Sequence, residues 1–431
     1  MQTRFSKEQL ATPRIQLADD ILRKCVHCGF CTATCPTYVI KGDELDSPRG
    51  RIYQIKDMFE QGKGASAQIT KHLDRCLSCL SCMTTCPSGV HYMHLVDEAR
   101  AHVQETHTRP FIDRSLRFVL AKILPYPQRF RMALAGAKMA RPLAGVFGLV
   151  PAFKPMAAML KLAPKKLYPK STELAKGVHA PKQSKKGRVS ILTGCANAVL
   201  EPSINEATLR VLNRAGIEVV LPPKMGCCGS LEHHLGMEDG ALEKVRANVD
   251  AWTKEIEGDG LDAIIINASG CGTTVKDYGH MLRLDAAYAE KASKVSSITK
   301  DITEYLDELE LSYSAPQNLA VTYHSACSMQ HGQKIKTLPK QLLSNAGFRV
   351  SDVPQGHLCC GSAGVYNIMQ SEIANDLKQR KLANIKTTNP QVIAAGNIGC
   401  ITQLADEAGV PVVHTIELLD WAQGGPKPHG I

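Results

Sequence analysis

Eight cysteines near the start of the chain fall into two runs of one spacing. Cys25, Cys28, Cys31 and Cys35 precede Pro36, and Cys76, Cys79, Cys82 and Cys86 precede Pro87. Three thiolates at steps of three on a tight loop can grip three corners of an inorganic cube; a fourth must arrive from elsewhere. A proline after the fourth stops the backbone from running on as helix. Thiolates in this number and spacing hold [4Fe-4S] clusters, which exchange single electrons. Zinc is the competing metal, but zinc sites pair two C-x2-C units without a third Cys at the same step or a trailing proline.

The run C-x2-C-x2-C-x3-C-P resembles that of bacterial two-cluster ferredoxins, in which the fourth Cys of each run serves the other cluster. The resemblance implies Cys25, Cys28, Cys31 and Cys86 around cluster 1 and Cys76, Cys79, Cys82 and Cys35 around cluster 2. Gly29, Thr32, Ala33 and Thr34 in one run, and Ser78, Ser81, Thr84 and Thr85 in the other, leave room for N–H and hydroxyl groups to approach the sulfurs. The 40 residues between Cys35 and Cys76 exceed what a ferredoxin hairpin needs. They carry Ser47-Pro48-Arg49-Gly50-Arg51, then Ile52, Ile55, Met58 and Phe59 at helical steps. An α-helical ferredoxin domain is expected over residues 1–110. The charges Asp43, Glu44, Asp46, Arg49 and Arg51 read as a solvated helix start or as a docking surface.

With 16 Cys in 431 residues the chain is too long and too Cys-poor for a small disulfide scaffold. Met1 to Asp20 is mixed and polar, without a signal-peptide pattern, and no long uncharged apolar run occurs. A cytoplasmic protein, peripheral at the inner face of the cytoplasmic membrane, is expected. The net charge of +10 is uneven: residues 122–188 hold 15 Lys or Arg against the single acid Glu173. Pro125, Pro127, Pro142, Pro151, Pro155, Pro164, Pro169 and Pro181 break this stretch, so residues 111–186 read as a basic linker with short helices. It is a solvated linker, a lipid-facing patch (Phe147, Leu149, Val150, Phe153, Met156, Met159 and Leu160 beside Lys154 and Lys161), or a cover packed over its own domains or against an acidic partner. With 5% aromatics and no recognition motif, nucleic acid is not an expected partner.

From about Gly187 apolar, β-branched runs alternate with helical patterns, as in parallel α/β units. Strands are expected at Val189 to Leu192, Ile217 to Leu221, Ala263 to Asn267, Leu319 to Tyr323 and Val392 to Ala395, and helices at Ile204 to Asn213, Leu242 to Trp252 and Ile373 to Ala383. This half repeats itself. Cys195 and Cys227-Cys228-Gly229 return 132 residues later as Cys327 and Cys359-Cys360-Gly361, and Cys271 returns as Cys400. The first Cys of each copy sits just past a strand, where open α/β sheets place their ligands. The fold class is therefore α/β with an all-α N-terminal part: a helical ferredoxin domain, then two similar parallel α/β halves over 187–315 and 316–431.

The repeated Cys-x31-Cys-Cys-Gly resembles the cysteine-rich domain of heterodisulfide reductases, of the anaerobic glycerol-3-phosphate dehydrogenase complex and of lactate-utilisation proteins. That resemblance implies a closing C-x2-C, but Ala268 and Asn397 stand where its first Cys would be. Four thiolates per copy still suffice for a further iron–sulfur cluster; the other reading is a relic in which Cys is a small buried hydrophobe. His233, His234, His324 and His357 flank these cysteines and are candidates for a substitute ligand, against the ordinary reading as hydrogen-bonding or solvated side chains. His27, inside the first run, is expected to point away from its cluster.

Taken in order, Cys25-Val26-His27-Cys28-Gly29-Phe30-Cys31-Thr32-Ala33-Thr34-Cys35-Pro36-Thr37-Tyr38 and Gly42-Asp43-Glu44-Leu45-Asp46-Ser47-Pro48-Arg49-Gly50-Arg51-Ile52-Tyr53 resemble the iron–sulfur subunit of glycolate oxidase (glycolate dehydrogenase) complexes. The family implies FAD-binding dehydrogenase subunits as partners, which oxidise glycolate to glyoxylate, and a quinone or membrane electron acceptor. Sister complexes for lactate or glycerol 3-phosphate, and a disulfide reductase, are the alternatives. No Gly-x-Gly-x-x-Gly followed by an acid occurs, so no flavin or NAD is expected on this chain, and no catalytic residue is assigned. A chain with one-electron centres alone needs a flavin partner to split an electron pair.

Overall fold

Ala263–Ile266 is buried along its whole length, and such a run needs a parallel sheet with helices on both faces. The structure, a computed structural model, describes residues 1–431 except 151–152, 165–166, 310 and 314–317. Pro151 and the expected 315/316 boundary lie outside the described residues. The first sheet contains β1 (Gly177–His179), β2 (Gly187–Leu192), β3 (Ile217–Leu221), β4 (Ala263–Ile266) and β5 (Thr299–Asp301), in the order β1-β3-β2-β4-β5. The second contains β6 (Ala320–His324), β7 (Arg349–Asp352), β8 (Val392–Ala395) and β9 (Val412–His414), in the order β7-β6-β8-β9.

All pairings are parallel except β1 with β3. With β1 set aside, the two sheets share one strand order, so the cysteine repeat is also a repeat of topology. The registers agree as well: Leu192 pairs with Ile266, and His324, at the same place in its copy, pairs with Ala395. The two copies touch through charge: Arg210 and Arg214 on the helix Ser203–Arg214 both reach Asp420 on the helix Thr415–Ala422.

Four strands escape the sequence pattern. β1, β5, β7 and β9 have only three or four residues, and β7 is largely polar, so no alternation can show. β1 also corrects the expected linker, because it adds an antiparallel edge to the first sheet from within residues 111–186.

In the N-terminal part the helices Pro13–Lys24, Pro48–Gln61, Ala67–Asp74 and Tyr92–Thr106 close on Leu22, Ile55, Phe59, Leu73, Leu95 and Val103. Pro36 and Pro48 each open a helix at its first position, where no N–H partner is lost. Ser47 caps the second of these, its Oγ accepting from Gly50 N–H at 3.0 Å.

The basic middle is more than short helices. It forms Phe111–Ile123, Pro127–Ala140, Ala144–Leu149 and Lys154–Leu162. Leu120 and Ala121 pack with Leu235 of the first copy and Val365 of the second, and Leu134 and Ala163 pack with Val199. Arg117, with Arg109 just before it, reaches back to Asp74, at 2.9 and 2.6 Å. Burial works against the Asp74 charge, but Arg117 and Arg109 outweigh it and hold the carboxylate below its ordinary value. The segment is thus a strap across three parts of the molecule, the cover among the three readings.

Removing Asp74 leaves the nearly buried Arg109 and Arg117 with Asp113 as their remaining shared carboxylate. Asp74→Ala is expected to cost about 1.5–3 kcal/mol, the loss of charged hydrogen bonds that Asp113 only partly replaces. A urea midpoint unchanged from that of the parent chain would refute this.

Candidate metal centres

The two N-terminal loops are built alike. His27 and Gly29 adopt left-handed φ angles of 60° and 87°, and Ser78 and Leu80, at the same motif positions, adopt 48° and 62°. Two left-handed residues turn the loop tightly enough to aim successive cysteines inward; at Leu80 a side chain bears the strain that Gly29 escapes. Cys25, Cys28, Cys31 and Cys86 line one cavity of about 430 Å³, and Cys35, Cys76, Cys79 and Cys82 line another of about 310 Å³. Cys82 also reaches the wall of the first. The fourth cysteine of each run therefore stands with the other run. Thr85 Oγ1 donating to Thr34 Oγ1 at 3.2 Å ties the two motifs together.

The donors fit an iron–sulfur cluster. Burial pushes the Cys31 thiol up to about 11 and raises Cys25, and burial plus neighbouring thiols raises Cys79 and Cys82 far above the ordinary value. Bare thiolates are unfavourable in such a place, and a cationic centre is what lets them ionise. The small residues play a different part from the expected one: Thr32, Thr84 and Thr85 hydroxyls donate to the carbonyls of Gly29 and Ser81 in their own turns.

Arg51 is the residue that sequence reasoning misplaced. It is 1% exposed, with Nη1 3.8 Å from Cys35 Sγ, Nε donating to the His72 carbonyl at 2.7 Å and Nη2 donating to Thr37 Oγ1 at 3.1 Å. Burial opposes its charge, but Cys76, Tyr92, Cys35 and Asp46 outweigh burial and raise its pKa. Asp46, fully buried, takes Arg51, His72 and Arg75 at 3.4, 2.8 and 2.7 Å. Asp46, which lies beside Asp43 and His72, thus has its counter-charge already. The insert turns inward rather than into solvent, and the signal was available: Arg51, Ile55 and Met58 share one helical face.

The first cavity opens outward. Cys28 is exposed, and Val26, Phe30 and Tyr53 beside it are exposed apolar or aromatic side chains. The second cavity is internal, and Leu77 and Cys79 pack against Cys327 and Cys359 of the second repeat.

In the first repeat Cys195, past β2, lies 3.7 Å from Cys227 Sγ, and Cys228 sits beside Cys271. Tyr278 Oη and Asn248 Nδ2 donate to the Cys228 and Cys227 carbonyls at 2.8 and 2.9 Å and fix the vicinal pair. In the second, Cys327 leads into a π-helical turn, Ser328–Gly332, with Cys359, Cys360 and Cys400 close by. The structure separates the flanking histidines. His233 and His234 face Asp97, His357 offers its carbonyl to His331, and His324 alone turns to the thiols. His27 lies 6.2 Å from the Tyr53 ring.

A cavity of about 460 Å³ separates the helix Tyr92–Thr106 from the first repeat, lined by His94, Asp97, Glu98, His233, Asp277 and His280 among others. His94 stacks on His280 at 3.4 Å, touches His91 at 3.9 Å and meets Asp277 at 2.9 Å. Burial, with His94 and Arg283, holds His280 down at about 3, and burial holds His234 at about 4. Both imidazoles are neutral when folded, against 6.5 when free, so they stabilise fully above pH 6.5 and progressively less as pH falls toward 3–4. Asp97, held low by His233 despite burial, adds loss in the same direction at lower pH. His233, whose pKa is raised by Asp97, acts oppositely and loses its contribution as pH rises. Amide exchange along residues 92–106 is therefore expected to speed up as pH drops from 7 to 4, after correction for intrinsic rates, and His280→Phe is expected to blunt the effect. Equal acid sensitivity in that variant would contradict it.

With this geometry in hand, the known relatives can be placed. The family profile of the 4Fe-4S dicluster domain matches residues 24–90, and that of the cysteine-rich domain matches twice, over 189–276 and 321–405. The glycolate oxidase iron–sulfur subunit of Escherichia coli is 42% identical over 98% of this chain and 99% of its own length. A probable glycolate oxidase iron–sulfur subunit of Bacillus subtilis is 32% identical over 94% of each. Lactate utilization protein A of Bacillus licheniformis is 24% identical over 54% of this chain. Among solved structures a hypothetical protein from Helicobacter pylori shares the fold at a TM-score of 0.57, with 9% identity, covering 98% of this chain and 74% of its own. The chain is an iron–sulfur protein with a dicluster domain and two cysteine-rich repeats, and it belongs to the family of glycolate oxidase iron–sulfur subunits.

Proposed function

We propose that this chain is the electron-transferring subunit of a flavin-dependent glycolate dehydrogenase complex. The observation that carries the reading is the crossed grouping of eight cysteines around two adjoining cavities, one open to the surface and one internal. Cys25, Cys28, Cys31 and Cys86 would hold one [4Fe-4S] cluster and Cys76, Cys79, Cys82 and Cys35 the other, within residues 1–110. When bound, these groups supply reversible one-electron uptake, which a flavin partner oxidising glycolate to glyoxylate requires. The residues divide the remaining work. Cys28, with Val26, Phe30 and Tyr53, forms the face on which an FAD-binding subunit docks and excludes water. Arg51 supplies fixed positive charge beside Cys35 and favours added electrons there.

We read the acceptor as a membrane quinone, a reading supported by an apolar and basic surface on the strap. No helix among the described residues is long and apolar enough to cross a membrane. Met139, Val146, Leu149, Phe153 and Met156 nevertheless stand exposed on the strap beside Lys138 and Lys161, while Leu160 is buried and Met159 packs inward. Apolar side chains ringed by lysines suit an anionic lipid surface, at roughly 1 kcal/mol per basic residue. The chain is expected to sediment with anionic vesicles at low salt and to leave them at high salt. Leu149→Glu with Phe153→Glu should abolish binding; equal affinity for zwitterionic vesicles would argue against the surface.

In the assembled complex, Cys28→Ser or Cys79→Ser is expected to leave flavin reduction by glycolate intact. Turnover with a quinone analogue should fall by more than about 10- to 100-fold, the loss typical of disturbing even a metal's supporting groups. Unchanged turnover would defeat the assignment, and a panel of 2-hydroxy acids separates glycolate from lactate.

A further inference from the structure

The loop that walls the inner cavity is strained and is held from outside itself. Ser78, between Cys76 and Cys79, takes a left-handed φ of 48°, which is costly for a residue with a side chain. Such a conformation persists only where the surroundings impose it. Arg100, on the helix Tyr92–Thr106 and 8% exposed, imposes it with both arms of its fork. Nη1 donates to Ser78 Oγ at 2.5 Å, and Nη2 donates to the Cys76 carbonyl at 2.6 Å. A planar guanidinium fixes two acceptors in one relative geometry, which a lysine cannot do. No guanidinium bridges the outer loop among the described residues. His27, at the position of Ser78, lies beside the Tyr53 ring instead.

Arg100 is set in turn by the first repeat. Gly236, two residues past the helix Ser230–His234, has a φ of 77° and meets the Arg100 carbonyl with no room for a Cβ. Asp97, one turn before Arg100, stands 4.0 Å from Nη1 and takes His233 Nε2 at 3.2 Å. That short helix follows Gly229, next to the vicinal Cys227-Cys228. A continuous path of contacts thus runs from the first repeat through Arg100 to the inner loop. Yet no residue of the first repeat, among those described, lines the inner cavity.

We propose that Arg100 is a positioning residue for the inner electron centre, fixing Cys76 and Cys79 through the loop between them, and that the first repeat governs that centre through Gly236 and Asp97. The proposal rests on the reading that Cys35, Cys76, Cys79 and Cys82 hold a cluster. Arg51 sits by sulfur and supplies charge there, whereas Arg100 donates to oxygen and supplies shape. The first repeat thereby has a task in electron transfer separate from any chemistry of its own cysteines.

The test uses the full chain, purified anaerobically and reduced, with paramagnetic resonance followed during a chelator challenge. Cys28→Ser, which disturbs the outer centre, identifies the inner signal. Arg100→Ala should change the inner resonance and speed its loss at least about tenfold, with the outer centre unaltered. Arg100→Lys, which keeps one contact, should fall between Arg100→Ala and wild type. Gly236→Ala, far along the chain from all eight cysteines, should disturb the inner centre alone. Should Arg100→Ala fail to fold, Arg100→Lys and Gly236→Ala still decide, and an inner centre as resistant as wild type in both overturns the proposal. Equal loss from both centres marks Arg100 as merely structural and overturns it too. A wild type lacking the inner centre overturns the underlying reading and the proposal with it; a loaded wild type whose inner centre is indifferent to Arg100 overturns the proposal alone.

Discussion

Crowded sulfur in a low-dielectric interior is the constraint on which this molecule turns. Eight thiols line two adjoining cavities, and burial alone would keep Cys25, Cys31, Cys79 and Cys82 protonated. Ionising them requires positive charge close by. Iron supplies most of it when bound, and the protein supplies the rest with one fully buried guanidinium. Arg51 is tolerable there because Asp46 and Thr37 satisfy its fork while Asp46 is itself shared with His72 and Arg75. The helix from Pro48, capped by Ser47, sets that arginine in line with core residues Ile55 and Met58, so the charge is placed by the same surface that builds the core.

The rest of the fold arranges surroundings for this pair of cavities. The outer one keeps a cysteine and a collar of apolar side chains at the surface. The inner one is walled by the second repeat, through Cys327, Cys359 and Tyr366, whose hydroxyl donates to the Arg75 carbonyl at 3.0 Å. The first repeat meets the helix Tyr92–Thr106 across stacked imidazoles instead, a softer and titratable seam. Across both runs the basic strap, held by two arginines on Asp74 and by Leu120 between Leu235 and Val365. Two copies of one α/β unit have thus taken different neighbours, and with Leu192 against His324 they have acquired different interiors.

Much of this was legible in the linear pattern. The cysteine runs announce their chemistry because ligand spacing is local, and the five central strands announce themselves because a strand buried on both faces is mostly apolar and β-branched. The duplication was visible as a fixed offset. What escaped notice had physical reasons. Three-residue edge strands such as β1 and β9 carry too little pattern to show. Charges between Asp43 and Arg51 look solvated in any window, since burial depends on partners such as His72 and Arg75 that arrive from another helix. The strap reads as a linker because its anchors, Asp74, Val199 and Val365, lie far away along the chain.

The amino-acid order alone determined the kind of metal chemistry, the two-part architecture and the repeat, since each rests on residue identity and spacing within a few turns. Only the folded chain decided which cysteines share a cavity, that Arg51 faces sulfur, and that His324, among four flanking histidines, turns toward thiols. Those outcomes depend on which distant surfaces close against one another, and closure is set by the burial of whole elements rather than by any single motif.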